Sequence, residues 1–104
     1  MGSAQQELDD LEQVFDALSH AARRQILLVL RFRGGEMTAG EIVGRFSCSW
    51  PTTTRHLRLL EKAGLVRVQK RGRERVYKLD LERLKSVAGK WLEWFEEPPQ
   101  SLSF

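Results

Sequence analysis

Few of the residues and patterns that most classes of function require are present in this sequence. The single cysteine, Cys48, excludes an internal disulfide and a multi-cysteine zinc site, and it fits a reducing compartment. The longest apolar run, Ile26 to Leu30, falls far short of a membrane span, which needs about 18 apolar residues. The acidic residues that follow Met1 match neither a signal peptide nor a transit peptide. We therefore expect a cytoplasmic protein with no part in the membrane.

Signatures of catalysis and of cofactor binding are missing as well. The sequence has no Gly-rich phosphate loop, no Ser-His-Asp pattern, no paired catalytic carboxylates and no cluster of metal ligands. Its two histidines, His20 and His56, are far apart and belong to no metal-binding spacing. We therefore expect neither an enzyme nor a bound metal or cofactor.

The charges are divided unevenly along the chain, although the formal net charge is only +3. Residues 1–18 carry five acids and no base, whereas residues 55–78 carry nine bases and two acids. A contiguous basic segment is typical of a protein that binds a polyanion. A solvated charged surface is the alternative, but these bases follow a helix-and-hairpin pattern, which favours nucleic acid.

Hydrophobic spacing and capping residues predict three helices in the first half of the chain. A first amphipathic helix covers about residues 6–18, and a second, capped by Ser19, covers about 20–33. The second is apolar on so many sides that it should be the central core helix. The third helix starts at a capping box formed by Thr38 and Glu41.

A fourth helix and a hairpin follow. The helix has Pro51 in its first turn and runs to about Ala63, where Gly64 ends it. Residues 66–79 alternate apolar and polar side chains on two short strands that turn at Gly72.

A final helix, about residues 80–97, completes the order α-α-α-α-β-β-α in a single domain over residues 1–104. A helix that fits a major groove, beside a basic ribbon that can contact phosphates, is typical of a winged helix-turn-helix. The fold class is therefore mainly α with a small β-hairpin. We expect the DNA-reading core at about residues 37–79.

Several blocks of the sequence, in matching order and spacing, resemble the ArsR family of bacterial winged-helix repressors. The blocks are Phe15–Leu27, Gly35–Ile42, Ser49–Leu60, Ala63–Val66 and Gly72–Leu79. The resemblance implies a homodimeric transcription factor, usually a repressor, that binds a short palindrome and is released by a signal. It also implies association with the bacterial nucleoid when the protein is bound to DNA.

The sequence departs from this family where its metal-sensing members bind their metal. A Cys-x-Cys pair in the third helix of those members aligns with Thr38 and Gly40. No histidine follows His56, so the ligands that other members carry on the last helix are missing too. The resemblance therefore implies the metal-independent branch. The sequence does not indicate a small-molecule effector or any other releasing signal.

Residues of the fourth helix and of the hairpin are the predicted DNA contacts. Arginine can pair with guanine, threonine offers a hydroxyl and a methyl, and wing arginines suit phosphates or a narrow minor groove. The predicted contacts are Ser49, Trp50, Thr52, Thr54, Arg55, His56, Arg58, Lys70, Arg71, Arg73 and Arg75.

Four residues of this region have a structural interpretation beside or instead of DNA contact. Trp50 either anchors the helix start in the core or faces the DNA backbone. His56 either supports phosphate contact or packs locally. We expect Thr53 to pack inward, and Glu74 to pair with a neighbouring arginine because it would repel phosphate.

Apolar residues on the terminal helices exceed what a monomer of this size covers easily, although some of them pack within one chain. The predicted dimer interface, on helices at about 6–18 and 80–97, comprises Leu8, Leu11, Phe15, Leu84, Val87, Trp91, Trp94 and Phe95. An isologous two-fold dimer places its recognition helices about 34 Å apart. The expected partners are therefore a second copy of the chain and double-stranded DNA with a palindromic operator.

Two other functions are compatible with parts of the sequence. A winged helix can serve only as a protein-interaction module, although such a module does not need arginines on both the recognition helix and the wing. Oxidation of Cys48, at the turn before the recognition helix, would disturb DNA binding. A redox-responsive regulator is therefore the other alternative.

Overall fold

The computed structural model describes residues 3–96, which form a mainly helical domain with one small antiparallel sheet. In chain order the elements are α1 (Ser3–Leu18), α2 (Ala21–Phe32), β1 (Glu36–Thr38), α3 (Ala39–Arg45), α4 (Trp50–Lys62), β2 (Val66–Arg71), β3 (Glu74–Leu79), α5 (Leu81–Leu84), a π-helical segment (Lys85–Gly89) and α6 (Lys90–Glu93). The winged helix-turn-helix prediction is confirmed. The predicted boundaries at residues 97–104 lie outside the described residues.

Capping residues fix the starts of both helices of the helix-turn-helix, and the cap at Thr38 was predicted from the sequence. At α3, the Thr38 hydroxyl accepts from the Glu41 backbone N–H at 3.1 Å, and the Glu41 carboxylate accepts from the Thr38 backbone N–H at 2.9 Å. At α4, the Ser49 hydroxyl accepts from the Thr52 backbone N–H at 3.3 Å. Each cap satisfies N–H groups that a helix start leaves without partners.

The start of α2 differs from the prediction. His20, not Ser19, is the N-cap, and its Nδ1 accepts a hydrogen bond from the Ala22 backbone N–H at 3.1 Å. Ser19 instead donates its hydroxyl to the carbonyl of Asp16 at 2.6 Å, so it belongs to the end of α1. A neutral imidazole nitrogen is a hydrogen-bond acceptor and can cap a helix in place of a hydroxyl.

The sheet has three strands, in the order β1-β3-β2, whereas the sequence predicted only the hairpin. Strand β1 pairs antiparallel with β3, with Glu36 opposite Lys78 and Thr38 opposite Val76. Three residues between a Gly-Gly turn and a helix cap are too few to show alternation. The observed order is therefore α-α-β-α-α-β-β followed by helical segments.

The wing, which we define as β2, β3 and the turn between them, has a two-residue turn. Gly72 has φ +61°, and Arg73 does not have a positive φ, which is the pattern of a type II′ hairpin turn. The pairing runs from Val66 opposite Leu79 to Arg71 opposite Glu74. One glycine thus suffices to fix the wing register.

The core lies between α2, α4 and the base of the sheet. Its fully buried side chains include Leu30, Ile42, Leu57, Leu60 and Leu65. The predicted central helix, α2, is not buried on all sides, because Leu28 and Phe32 are exposed, Phe32 to 82%. Some apolar side chains of α2 therefore lie outside the core.

The predicted continuous last helix is interrupted. The π-helical segment Lys85–Gly89 separates α5 from α6, and none of the three has a buried residue. The N-terminal half of α1 is exposed in the same way, because its buried residues are Val14 and Ala17 near its C-terminal end. The two terminal elements therefore pack on each other and on the edge of the core.

Candidate nucleic-acid interface

Helix α4 has one buried face and one exposed face. Thr53, His56, Leu57 and Leu60 are buried at helical spacing, which fixes the helix against the core. On the other side, the predicted contacts Ser49, Trp50, Arg55 and Arg58 are exposed, and Thr52 and Thr54 are partly exposed. This exposed side is the part of α4 available to a DNA groove.

Two residues with open interpretations now have definite positions. Trp50 is 55% exposed at the first position of α4, so it does not anchor the helix start in the core. His56 is buried, so the structure shows the local packing that was one of its two interpretations, and not the predicted exposed position for DNA contact. The inward position predicted for Thr53 is confirmed, with 1% of the residue exposed.

His56 belongs to a cluster that joins three helices. The Arg23 guanidinium contacts His56 Nδ1 at 3.2 Å, and the His20 and His56 rings lie 4.6 Å apart between centroids. Arg23 also donates to the carbonyls of Ala17 at 2.7 Å and Asp16 at 3.1 Å, at the end of α1. The cluster thus connects α1, the start of α2 and α4, which is the predicted recognition helix.

The environment of His56 opposes a positive charge on its ring. Burial lowers the pKa of the His56 imidazole, and the charges of His20, Arg23 and Arg55 lower this pKa further. Because the usual pKa of histidine is about 6.5, His56 is neutral at neutral pH.

The wing carries cations that have no acidic partner. Lys70 lies directly opposite Arg75 in the β2–β3 register, and like charges in such a pair destabilise a hairpin. Neither residue, nor Arg73 at the turn, forms an ion pair within residues 3–96. An anion bound at the wing tip would remove this repulsion.

Other cations of the sheet are neutralised within the chain. Arg67 pairs with Asp80 at 2.9 Å, and Glu36 pairs with Arg71 at 2.7 Å and with Lys78 at 3.9 Å. Arg71, a predicted DNA contact, is therefore engaged by β1. Alternation along β2 places Arg67 and Arg71 on the face opposite to Lys70 and its partner Arg75, whereas Arg73 lies in the turn.

Asp80 has two structural tasks at the base of the wing. Its carboxylate accepts from the Arg83 backbone N–H at 3.0 Å, which caps α5, and it pairs with Arg67. The hydrogen bond from the Arg83 backbone, with the Arg67 guanidinium, holds the pKa of the Asp80 carboxyl below its usual value. Glu74, by contrast, forms no ion pair in the described chain, contrary to the prediction.

The residues that hold these elements together could not be recognised from the sequence. Glu36, Asp80, Arg23 and Arg83 each link segments that are distant in sequence. Arg83 donates to the Ala63 carbonyl at the end of α4 at 3.2 Å and pairs with Asp10 of α1 at 3.2 Å. No local spacing reveals such a contact, because its partners are set by the tertiary fold.

The predicted dimer residues lie along the exposed parts of α1 and of the last helical segments. Phe15 packs edge-to-face on Trp91 with centroids 5.0 Å apart, and Trp91 lies 4.8 Å from Phe95. Trp94 is 76% exposed, and Leu8 and Phe95 are also largely exposed. Leu84, Val87, Leu11 and Phe15 are half-buried within the chain. A groove of about 450 Å³ runs between α1 and the last helical segments, with Leu8, Val87, Trp91 and Trp94 in its walls.

The described residues offer no obvious second site. Between residues 3 and 96, no three or more His, Cys, Asp or Glu side chains are grouped so that they could hold a metal ion. Cys48 is partly buried, and it is the only cysteine of the sequence. Among the helices that the structure describes, none has the length and apolar character to span a bilayer.

Residues 18–69 match the model of a family described as a helix-turn-helix domain. The transcriptional repressor SdpR of Bacillus subtilis (strain 168) is 37% identical over 70 residues, which cover 67% of this chain and 76% of that protein. The cadmium resistance transcriptional regulatory protein CadC homolog of Staphylococcus aureus is 34% identical over 87 residues, which cover 84% of this chain and 71% of that protein.

A solved structure agrees with these matches. An ArsR-like transcriptional regulator from Rhodococcus sp. RHA1 superimposes with a TM-score of 0.72 and 31% identity over 85% of each chain. The matched residues include α4, whose exposed arginines adjoin the basic wing. The chain belongs to the ArsR family of winged helix-turn-helix DNA-binding transcriptional regulators.

Proposed function

We propose that this regulator is a homodimeric repressor that reads a palindromic operator. In this proposal α4 enters the major groove, with Arg55, Arg58 and the partly exposed threonines at the base edges. The wing contacts the flanking backbone through Lys70, Arg73 and Arg75. Ser49 and Trp50, at the start of α4, face the nearest phosphates.

The observation that carries the proposal is the distribution of unpaired positive charge. Arg55 and Arg58 on α4 and Lys70, Arg73 and Arg75 on the wing form no ion pair within the described chain, whereas Arg67, Arg71 and Lys78 do. Cations kept free on the recognition helix and on one part of the wing match a phosphate-lined partner. A protein-interaction module does not require this arrangement.

The proposed dimer rests on the shape and surface of the terminal helices. The radius of gyration is 16.0 Å, whereas a compact domain of about 100 residues has about 13 Å. Exposed Leu8 and Trp94 line a groove that a second copy would fill, and Phe95, whose ring lies 4.8 Å from that of Trp91, is exposed as well. Two-fold symmetry would then pair the recognition helices about one DNA turn apart, which predicts a palindromic operator.

Repression without metal release is supported by the start of α3. The Thr38 hydroxyl is used as a helix cap, and Gly40 has no side chain, so neither offers a ligand at the position of the family's cysteine pair. The CadC homolog is named for cadmium resistance, whereas SdpR is named only as a repressor. We therefore propose that a metal bound at this position does not release the regulator from DNA.

The test begins with DNA selected by the wild-type protein from genomic fragments, followed by binding measurements over a range of salt concentrations. Arg55→Ala should relax base preference at one or two positions and cost about 1–3 kcal/mol on the preferred sequence. Arg73→Ala should weaken binding to all sequences alike and reduce the salt slope by about one unit.

Arg67→Ala is the matched control on the wing, because Arg67 is already neutralised by Asp80. Its salt slope should equal that of the wild type. Equal losses for Arg67→Ala and Arg73→Ala would contradict the division into paired and unpaired cations. If the wild type selects no DNA and shows no salt-dependent binding, the repressor proposal fails. Footprints on the selected fragments, and a reporter placed behind them, test the palindrome and the direction of regulation.

A further inference from the structure

Arg23 is a buried cation without a carboxylate partner. Only 8% of the residue is exposed, and the described ion pairs do not include it. Its guanidinium instead donates to the Ala17 and Asp16 carbonyls and contacts His56 Nδ1. The carbonyls at a helix C-terminus carry partial negative charge, which stabilises the guanidinium there. The hydrogen-bond donors of this one arginine therefore join α1 to the recognition helix α4.

This contact fixes the protonation of His56. A guanidinium has only donors, so Nδ1 of His56 must be the acceptor, and the single ring proton lies on Nε2. A second proton on Nδ1 would face the guanidinium at 3.2 Å and would abolish the hydrogen bond. The contact therefore exists only while His56 is neutral.

Within residues 3–96, the charged groups found to shift the pKa of His56 are cations, and all of them lower it. His20 and Arg23 of the α2 start face the ring, and Arg55 lies on its own helix. From α1, Asp16 and Ala17 contribute carbonyls to Arg23, and the Asp16 side chain is exposed and forms no ion pair in residues 3–96. A protonated His56 would be surrounded by positive charge.

We propose that Arg23 and neutral His56 are a positioning pair that sets α4 relative to α1, and that DNA binding is lost when His56 takes up a proton. The inference deepens the proposed function, on which it rests, because it adds acid sensitivity to the same recognition helix. Neither residue contacts DNA; both act through the placement of Arg55 and Arg58.

The sign of the pH effect separates this role from a phosphate contact. A histidine at the DNA surface gains charge on acidification and strengthens binding. The positioning pair predicts weaker binding instead. If DNA selects the neutral form, affinity falls by up to about tenfold per pH unit below the pKa of His56 in the free protein.

The sequence makes this effect assignable, because His20 and His56 are its only two histidines. His56→Asn retains an acceptor near the position of Nδ1 but does not titrate. His20→Asn retains a good N-cap for α2 and is the matched control. The double variant has no histidine and gives the baseline.

The wild type first selects its preferred duplexes from random sequences. The affinity of each variant for these duplexes is then measured from about pH 7.5 to 5.5 at constant ionic strength, with circular dichroism at each pH. We expect affinity to fall on acidification for the wild type and His20→Asn, and to stay level for His56→Asn and the double variant. Wild-type affinity that rises or stays level while the fold persists would overturn the proposal. A His56→Asn profile equal to that of the wild type would overturn it as well.

Nitrogen NMR of the wild-type imidazoles tests the pair without DNA. The expected result is a neutral His56 ring with its proton on Nε2 at neutral pH. The pKa of His56 should lie below that of histidine in reference peptides. A proton on Nδ1, or an ordinary pKa, would contradict the pairing. Absence of wild-type DNA binding at every pH would instead contradict the proposed function, and the ring titration distinguishes the two failures.

Discussion

Replacing Thr53 by valine should stabilise this protein. Thr53 lies on the buried face of α4, with 1% of the residue exposed, and its Oγ1 has no hydrogen-bond partner in the described chain. A buried hydroxyl without a partner loses its hydrogen bonds to water and gains none in return. Valine has nearly the same shape and carries no such group.

The magnitude follows from the burial. An unsatisfied buried polar group costs about 1–3 kcal/mol, and valine and threonine have similar helix propensities, so Thr53→Val should raise the unfolding free energy by about 1–2 kcal/mol. For a domain of this size, each kcal/mol raises the melting temperature by roughly 4–8 °C. DNA affinity at neutral pH should not change, because Thr53 does not reach the surface.

The measurement is urea unfolding together with thermal melting at one fixed protein concentration, since the melting temperature of an oligomer depends on concentration. Thr52→Val is the matched control: Thr52 is partly exposed, and its Oγ1 accepts from the Ser49 hydroxyl at 3.1 Å, so no gain is expected. A lower midpoint for Thr53→Val, with an unchanged urea slope, would show that the hydroxyl has a partner and would refute the reasoning.

Two further predictions concern the terminal helices and the end of α4. Trp94→Glu should yield monomers in sedimentation at micromolar concentration, whereas Phe32→Glu, at an equally exposed site on α2, should not; dimers in both would contradict the proposed interface. Gly64→Ala should cost about 1–2 kcal/mol in thermal unfolding, because Gly64 has φ +78° and a Cβ there would lie 2.9 Å from Arg83 Nε. Gly44→Ala, in α3 with open space around it, should be neutral or stabilising, and the opposite order would contradict this reasoning.

Local signals in the sequence predicted the elements that depend on local interactions. The Thr38–Glu41 capping box, the helix stop at Gly64 and the turn at Gly72 all appear in the structure because each is decided within a few residues. Strand β1 was missed because three residues carry no periodicity, and its pairing with β3 is a contact between distant segments.

The candidate site was predictable to the extent that exposure follows helical periodicity. The spacing placed Arg55 and Arg58 opposite the buried stripe of α4, whereas the inward position of Thr53 was expected because it aligns with a usually apolar position. It did not place His56, which the same spacing puts in that stripe, because the expectation followed the residue type and the family resemblance. The pairing of Arg71 with Glu36 could not be foreseen without β1.

The short strand β1 also has a mechanical consequence for the wing. Strand β3 has neighbours on both sides only from Val76 to Lys78, and the residues nearer Gly72 pair with β2 alone. The backbone of β1 therefore holds the hairpin at its base, and towards the tip β1 reaches it through the Arg71–Glu36 ion pair, which leaves Lys70, Arg73 and Arg75 unpaired in the described chain. Two-stranded ribbons twist more readily than wider sheets, so the tip can follow grooves of different width while the three-stranded base stays in place. Lengthening β1 would stiffen the β2–β3 hairpin and narrow the range of DNA groove widths that the protein can bind.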